Sequence, residues 1–298
     1  MYDIIIIGAG PAGLTSALYA LRANKKVLVL ESKTYGGQIL KASVVENYPA
    51  IKNITGFDYA TSLYNQVMDL GLEYKNETVT HISEGKEVTT DKGKYQANAI
   101  IIATGSENRN LNIPNEKEFI GKGVSYCATC DGNFYKDKTV AVNGGGNTAL
   151  EDALYLSNIA KKVYLIHRRE TFRGEVKYIE ELKKKDNIEF ILNKTISKIN
   201  GKDNLESITI IDNNNNEEEI NIDGLFIAIG QEPKNQIFTN VVDINEKGYI
   251  ISEDGVHTKT KGIYVAGDAR EKILRQLTTA VSDGSIAAVV AIQEMRIK

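Results

Sequence analysis

Apolar residues in this chain gather in short unbroken runs: Ile4-Ile5-Ile6-Ile7, Val27-Leu28-Val29-Leu30, Ile100-Ile101-Ile102, Val140-Ala141-Val142, Val163-Tyr164-Leu165-Ile166, Leu225-Phe226-Ile227 and Ile263-Tyr264-Val265. Continuous runs of this length, bounded by turn residues, are the pattern of strands buried on both faces of a parallel sheet. Between them lie stretches with helical spacing, at 14–22, from 147 through Leu156, and from about Leu277 onward. The alternation predicts an α/β fold with two Rossmann-like dinucleotide-binding domains.

Each unit reads strand, glycine turn, helix, strand. The first turn is Gly8-Ala9-Gly10-Pro11-Ala12-Gly13 and the second is Gly144-Gly145-Gly146-Asn147-Thr148-Ala149. The interval from first glycine to the end of the second strand is the same in both, 8 to 31 and 144 to 167. An Ala-x-Gly echo follows each, at 103–105 and 228–230. This is the mark of an internal duplication. The strand at 263–265 and the helix after it have no counterpart in the second unit, so they are expected to return and complete the first. The expected organisation is 1–112 and 237–298 as one domain, with 113–236 inserted into it. Pro114 and Pro233 lie near the two crossings, where a residue that stiffens a link suits a boundary. The polar stretch 213–219 is expected to be a solvated hairpin tip.

The residue types differ at the one place where the two units must choose a ligand charge. In the first unit, Gly8 permits the tight turn, Gly10 the approach of a pyrophosphate and Gly13 the close packing of helix on strand. Glu31 stands where it can accept hydrogen bonds from a ribose diol and would repel a 2′-phosphate. In the second unit, behind Gly144, Gly146, Asn147 and Thr148, that acid is replaced by His167-Arg168-Arg169, with Arg173 shortly after. Guanidinium groups there complement a 2′-phosphate and select NADPH over NADH.

Composition adds one feature and excludes several. The chain has 298 residues, a formal net charge of −3 and two cysteines. That charge gives no reason to expect nucleic acid, and no apolar run approaches the length of a membrane helix. Met1-Tyr2-Asp3 leads directly into the first strand without a basic leader, so a cytoplasmic location is expected. Both cysteines fall in Cys127-Ala128-Thr129-Cys130-Asp131, just ahead of the second glycine loop. A zinc site would need four ligands, but there is no second cysteine pair and His81, His167 and His257 are scattered; no metal is expected. A redox dithiol remains, in which one thiolate attacks and the other resolves. Asp131 would repel a neighbouring thiolate, so its expected role is proton transfer.

Taken together, Cys127-Ala-Thr-Cys-Asp-Gly132, the loop Gly-Gly-Gly-Asn-Thr-Ala and His-Arg-Arg-x-x-x-Arg resemble the low-molecular-weight thioredoxin reductases. Gly36-Gly37-Gln38, Glu46-Asn47-Tyr48-Pro49, Ala103-Thr104-Gly105, Gly267-Asp268 and Leu274-Arg275-Gln276 extend the resemblance over nearly the whole chain. It implies FAD in the first domain, with Glu31, Gln38, Asn47, Asp268 and Gln276 among the contacts, joined by Gly37, Thr104, Gly105 and Arg275 of the same motifs. It implies NADPH in the inserted domain, a homodimer and a thioredoxin substrate. It further implies that Cys130 faces the flavin, that Cys127 exchanges with thioredoxin, that Asp131 is the acid, and that the domains rotate between half-reactions. Three positions depart from the usual pattern: Asn133, Asn143 and Gly174. Relatives of the same fold that use ferredoxin, serve a peroxiredoxin system with NADH, or oxidise dithiols are the competing readings. A redox sensor without turnover is another.

Overall fold

A computed structural model describes residues 1–42, 44–252 and 254–296. The chain divides into two compact units, Met1–Glu107 with Glu232–Lys298, and Asn108–Gln231. The chain passes from one unit to the other after Glu107 and again after Gln231. The segments Glu107–Asn108 and Gln231–Glu232 pair in a two-stranded ladder. Pro233 follows directly. Pro114 lies within the inserted unit, where buried Glu116 accepts the amides of Leu111 at 2.8 Å and Asn112 at 2.7 Å.

In the first unit, parallel strands run in the spatial order Glu73–Asn76, Val27–Glu31, Tyr2–Ile7, Lys94–Ile102, Ile263–Val265. Ile4 pairs with Val27 on one side and Ala99 on the other, and Ile263 pairs with Ile100. Ile4, Ile5, Ile100 and Ile101 are all fully buried, as unbroken apolar runs require in a sheet covered on both faces. The first half of the long strand Lys94–Ile102 also carries an antiparallel extension, Glu87–Thr90 and then Val79–Ile82. The first helix begins at Pro11 rather than at Leu14, because proline at the first helical position has its φ already set and no N–H to lose. It packs against the C-terminal helix Leu277–Arg296. A Cβ placed on Gly284 would fall 2.2 Å from the Ala12 carbonyl oxygen, so glycine is what permits this approach. Ser16 Oγ spans the contact, donating to the carbonyls of Ala12 and Gly284, both at 2.9 Å.

The inserted unit repeats the plan. Its parallel order is Ile188–Leu192, Lys162–His167, Thr139–Asn143, Gly224–Ile227, Val124–Ser125. The edge strand here comes from upstream of the glycine loop, whereas in the first unit it comes from the end of the chain. An antiparallel sheet of Lys194–Gly201, Leu205–Asp212 and Glu217–Asn221 completes the unit. Its second turn is the polar tip, where Asp212 accepts the amides of Asn214 and Asn216. Among the described residues no helix is long and apolar enough to cross a membrane, and no His/Cys/Asp/Glu group could hold a metal ion.

Candidate functional site

The expected residues of the first unit converge from segments far apart in sequence. Glu31 accepts the Ala9 amide at 2.8 Å, tying the end of the second strand to the glycine loop. Gly36 donates its amide to Ala9, and a Cβ on Gly37 would lie 3.3 Å from the Gly10 Cα. A Cβ on Gly8 would meet the Ala103 carbonyl oxygen at 2.4 Å, which places Thr104 and Gly105 beside the loop. Gly13 is tighter still, 1.9 Å from the Gly8 carbonyl oxygen, whereas a Cβ on Gly10 would meet nothing within 4 Å. The turn is thus closed on its strand side and open on the side where the helix amides point, the geometry that admits a pyrophosphate. Around it, Gln38 Nε2 donates to the Ser106 carbonyl at 3.1 Å, and Asn47 Nδ2 to Gln276 Oε1 at 3.0 Å. A Cβ on Gly267 would sit 2.7 Å from that of Ala12, bringing Asp268 to the helix start. Burial pushes the Asp268 carboxyl up, against the pull of Lys272 and Arg275. The Arg275 guanidinium lies 3.8 Å over the Tyr249 ring.

In the inserted unit the glycine loop has the same form. A Cβ on Gly144 would meet the Ala228 carbonyl oxygen at 2.4 Å, and one on Gly146 would meet nothing within 4 Å. The helix Asn147–Ser157 starts there, with Thr148 exposed in its first turn. Asn147 is anchored sideways: its Nδ2 donates to Glu175 at 2.9 Å and its Oδ1 accepts the Glu175 amide at 2.8 Å. Arg168, Arg169 and Arg173 are exposed, and among the described residues none has a carboxylate partner in an ion pair. His167 is placed differently from the arginines. Its ring lies buried under the loop, so close that a Cβ on Gly145 would come within 2.1 Å, and it stacks on Phe172. Burial lowers its pKa, with the three arginines adding to the effect. Gly174, one of the departures from the usual pattern, has a local reason: a Cβ would come 2.4 Å from Leu150 Cδ1. On the same helix, burial and the Glu151 charge push Asp152 up to about 7.

Cys127 and Cys130 are joined in a disulfide with a Cα–Cα distance of 5.3 Å. Cys127 caps the one-turn helix Ala128–Asp131, whose Ala128 packs into the apolar cluster of Ala149, Ala153 and Leu156. Ser125, which no sequence signal marked, organises the motif. Its Oγ accepts the Cys127 amide at 3.0 Å and donates to Asp131 Oδ2 at 2.6 Å. Burial pushes the Asp131 carboxyl up and the Ser125 bond opposes this. Sequence also gave no sign of Asn235, fully buried, which donates to the carbonyls of Gly248 and Ala269 and accepts Thr104 Oγ1.

Six buried side-chain polar atoms among the described residues lack a hydrogen-bond partner: Gln38 Oε1, Asp131 Oδ1, His167 Nε2, Ser252 Oγ, Asp268 Oδ1 and Arg275 Nε. All but Ser252 belong to residues expected from sequence to bind or react. An unsatisfied buried polar atom costs about 1–3 kcal/mol, so their concentration here is what groups reserved for a ligand or a proton look like. Gln38, Asp268 and Arg275, with the open face at Gly10, fit a flavin dinucleotide. The open face at Gly146 and the unpaired arginines fit a phosphorylated nicotinamide dinucleotide.

The model of the pyridine nucleotide-disulphide oxidoreductases matches residues 2–284. The chain belongs to that family. Thioredoxin reductase of Bacillus subtilis is 42% identical, over 97% of this chain and 93% of its own. The solved thioredoxin reductase of Streptococcus pyogenes has 36% identity and a TM-score of 0.95, covering 100% of this chain and 99% of that one. The Lactococcus lactis thioredoxin reductase solved in an FR conformation is also 36% identical, with 98% of each chain covered and a TM-score of 0.67.

The Ser125–Asp131 bond makes a prediction about titration. Ser125→Ala removes the interaction that holds the Asp131 carboxyl down, so Asp131 should titrate at higher pH than in the native protein. Carboxyl infrared or NMR titration of the oxidised protein checks this, and an unchanged midpoint would show that the bond does not form.

Proposed function

We propose that the protein carries electrons from NADPH through FAD to its Cys127–Cys130 disulfide and on to oxidised thioredoxin. The observation that carries this reading is the disulfide standing beside Asp131, with its unpartnered buried oxygen, in the unit that also holds the arginine-flanked glycine loop. In this reading Met1–Glu107 with Glu232–Lys298 binds FAD and Asn108–Gln231 binds NADPH. Gly8, Gly10, Gly13 and Gly37 line the FAD pyrophosphate, Glu31 the ribose, and Gln38, Asn47, Thr104, Gly105, Asp268, Arg275 and Gln276 the rest. Arg168, Arg169 and Arg173 grip the 2′-phosphate at the loop of Gly144, Gly146, Asn147 and Thr148, and His167 shapes that loop from beneath. When bound, FAD supplies the two-electron chemistry that links a hydride donor to a disulfide.

The chain's own groups handle protons and exchange. Reducing one disulfide with NADPH takes up one proton beyond the hydride, and that proton must reach a sulfur. Asp131, its carboxyl favoured in the protonated form by burial, donates to the thiolate at Cys130 as the disulfide opens. Cys127 then attacks the thioredoxin disulfide, and Cys130 resolves the mixed disulfide, releasing reduced thioredoxin. Both the disulfide and the NADPH loop lie in one unit and both must meet FAD in the other. The units therefore rotate between half-reactions. A dithiol relay of this kind belongs in a cytoplasm that keeps thiols reduced.

The protein acts as a homodimer in this reading. Tyr19, Ile286 and Val289 are 45%, 46% and 38% exposed on the two packed helices of the FAD unit, apolar side chains available to a second copy.

Four sets of measurements test the reading. Purified protein should be yellow; Cys127→Ser should keep flavin bleaching by NADPH while losing thioredoxin reduction by at least ~10³-fold. Cys130→Ser should lose thioredoxin reduction as well, and full turnover in either variant would end the dithiol assignment. Arg168→Ala with Arg169→Ala should raise KM for NADPH about 10–100-fold while leaving NADH use unchanged, since a charge-assisted bond is worth about 1.5–3 kcal/mol. An unaltered NADPH preference would contradict the assignment. Light scattering at micromolar concentration should give twice the chain mass, and a monomer mass would remove the dimer.

A further inference from the structure

Under the short turn Gly267–Ala269 lies a buried cluster of two acids and two bases that none of the motifs above contains as a unit. Asp283, 5% exposed on the C-terminal helix, is its centre. Its Oδ2 accepts the Gly267 amide at 3.1 Å, Arg270 Nε at 2.9 Å and Lys272 Nζ at 2.9 Å, and its Oδ1 accepts Arg270 Nη2 at 3.1 Å. The Lys272 side chain is 6% exposed and lies between two carboxylates. It bonds Asp283 at 2.9 Å and makes only a longer ion pair, at 3.6 Å, with Asp268 Oδ1, a buried oxygen without a hydrogen-bond partner.

We propose that Asp283 is a positioning residue for FAD: by hydrogen-bonding Lys272 it holds the ammonium at ion-pair rather than hydrogen-bond distance from Asp268, whose Oδ1 stays available to accept a hydroxyl of the cofactor. The inference rests on the reading of this unit as the FAD site. Its physical basis is competition. A lysine ammonium is a compact point charge on a flexible stem and pairs with whichever carboxylate holds it best. Charge-assisted bonds run at about 2.7–2.9 Å, so Lys272 would need to move by less than about 1 Å to close on Asp268. Asp283 prevents this because Arg270 and the Gly267 amide fix its carboxylate in place. The bonds from Arg270 and Lys272 outweigh the effect of burial on Asp283 and keep it ionised. Without that charge Lys272 would face Asp268 alone, and Asp268 Oδ1 would be taken up by a hydrogen bond from the ammonium.

The test is FAD retention by holoprotein, read as flavin fluorescence released on dilution and as flavin content after purification. Asp283→Asn, which preserves shape and the Gly267 bond, should release FAD about tenfold faster or more, the equivalent of one charge-assisted bond lost to the cofactor. Lys272→Met in that background removes the competitor and should return release to near the native rate. Lys272→Met alone should hold FAD as firmly as the native protein or more so. Native release from Asp283→Asn, or a double variant no better than Asp283→Asn, overturns the proposal. So does faster release from Lys272→Met alone, which stays decisive where Asp283→Asn does not fold. A native protein that purifies without flavin and binds none would instead refute the FAD reading itself, so the two failures are distinguishable.

Discussion

Backbone crowding at two glycine turns sets the terms for the rest of the molecule. In each unit a carbonyl at the end of a neighbouring strand, that of Ala103 or Ala228, occupies the space a side chain would need at Gly8 or Gly144. Only glycine lets strand, helix and neighbour meet that closely, and the meeting aims the first helix amides outward. Those amides have no partners within the helix, so the same packing that closes the core opens an anion site at Gly10 and at Gly146. The two Ala-x-Gly echoes are thus the walls of the two cradles, which gives the internal duplication an atomic meaning.

With geometry shared, charge does the sorting. Glu31 uses one oxygen to brace the Ala9 amide and so presents a fixed negative group at the end of its strand. At the matching place His167 is buried, biased to the neutral form, and supports Gly145 from below. The positive charge is carried forward by arginines with no protein partner among the described residues. A neutral ring beneath and cations above avoid the cost of burying charge, while leaving the cations available.

Most of this was legible in the sequence because it depends on residue types that few other roles demand. Unbroken apolar runs identified the central strands, and glycine spacing with the residue at the second strand's end identified both cradles. The paired cysteines could be separated from zinc ligands by counting. Legibility failed where structure depends on long-range contact. Ser125 reads as an ordinary strand residue until its hydroxyl is seen between the Cys127 amide and Asp131. Asn235 resembles any loop asparagine until it is found fully buried. Pro114 and Pro233 lie near the passages between the units, while the pairing of Glu107–Asn108 with Gln231–Glu232 leaves no mark in either segment. Asp283 did leave a trace, as an acid in the otherwise apolar and small-residue run from Ala280 to Ile292.

The unsatisfied atoms connect the two units into one argument about function. A folded chain tolerates a few kcal/mol of unpaired polar burial only where other contacts compensate. Among the described residues such atoms are confined, Ser252 apart, to residues expected from sequence to bind or react: Gln38, Asp268 and Arg275 on one unit, His167 and Asp131 on the other. Asp131 differs in kind from the others. Its free oxygen lies in a carboxyl that burial pushes up, while the Ser125 bond opposes that push. A carboxyl pushed too high would never give its proton up, and one left at its ordinary value would be ionised and repel the thiolate beside it. The single hydroxyl of Ser125 opposes the upward push of burial on Asp131 and, through the Cys127 amide, ties that balance to the position of the disulfide.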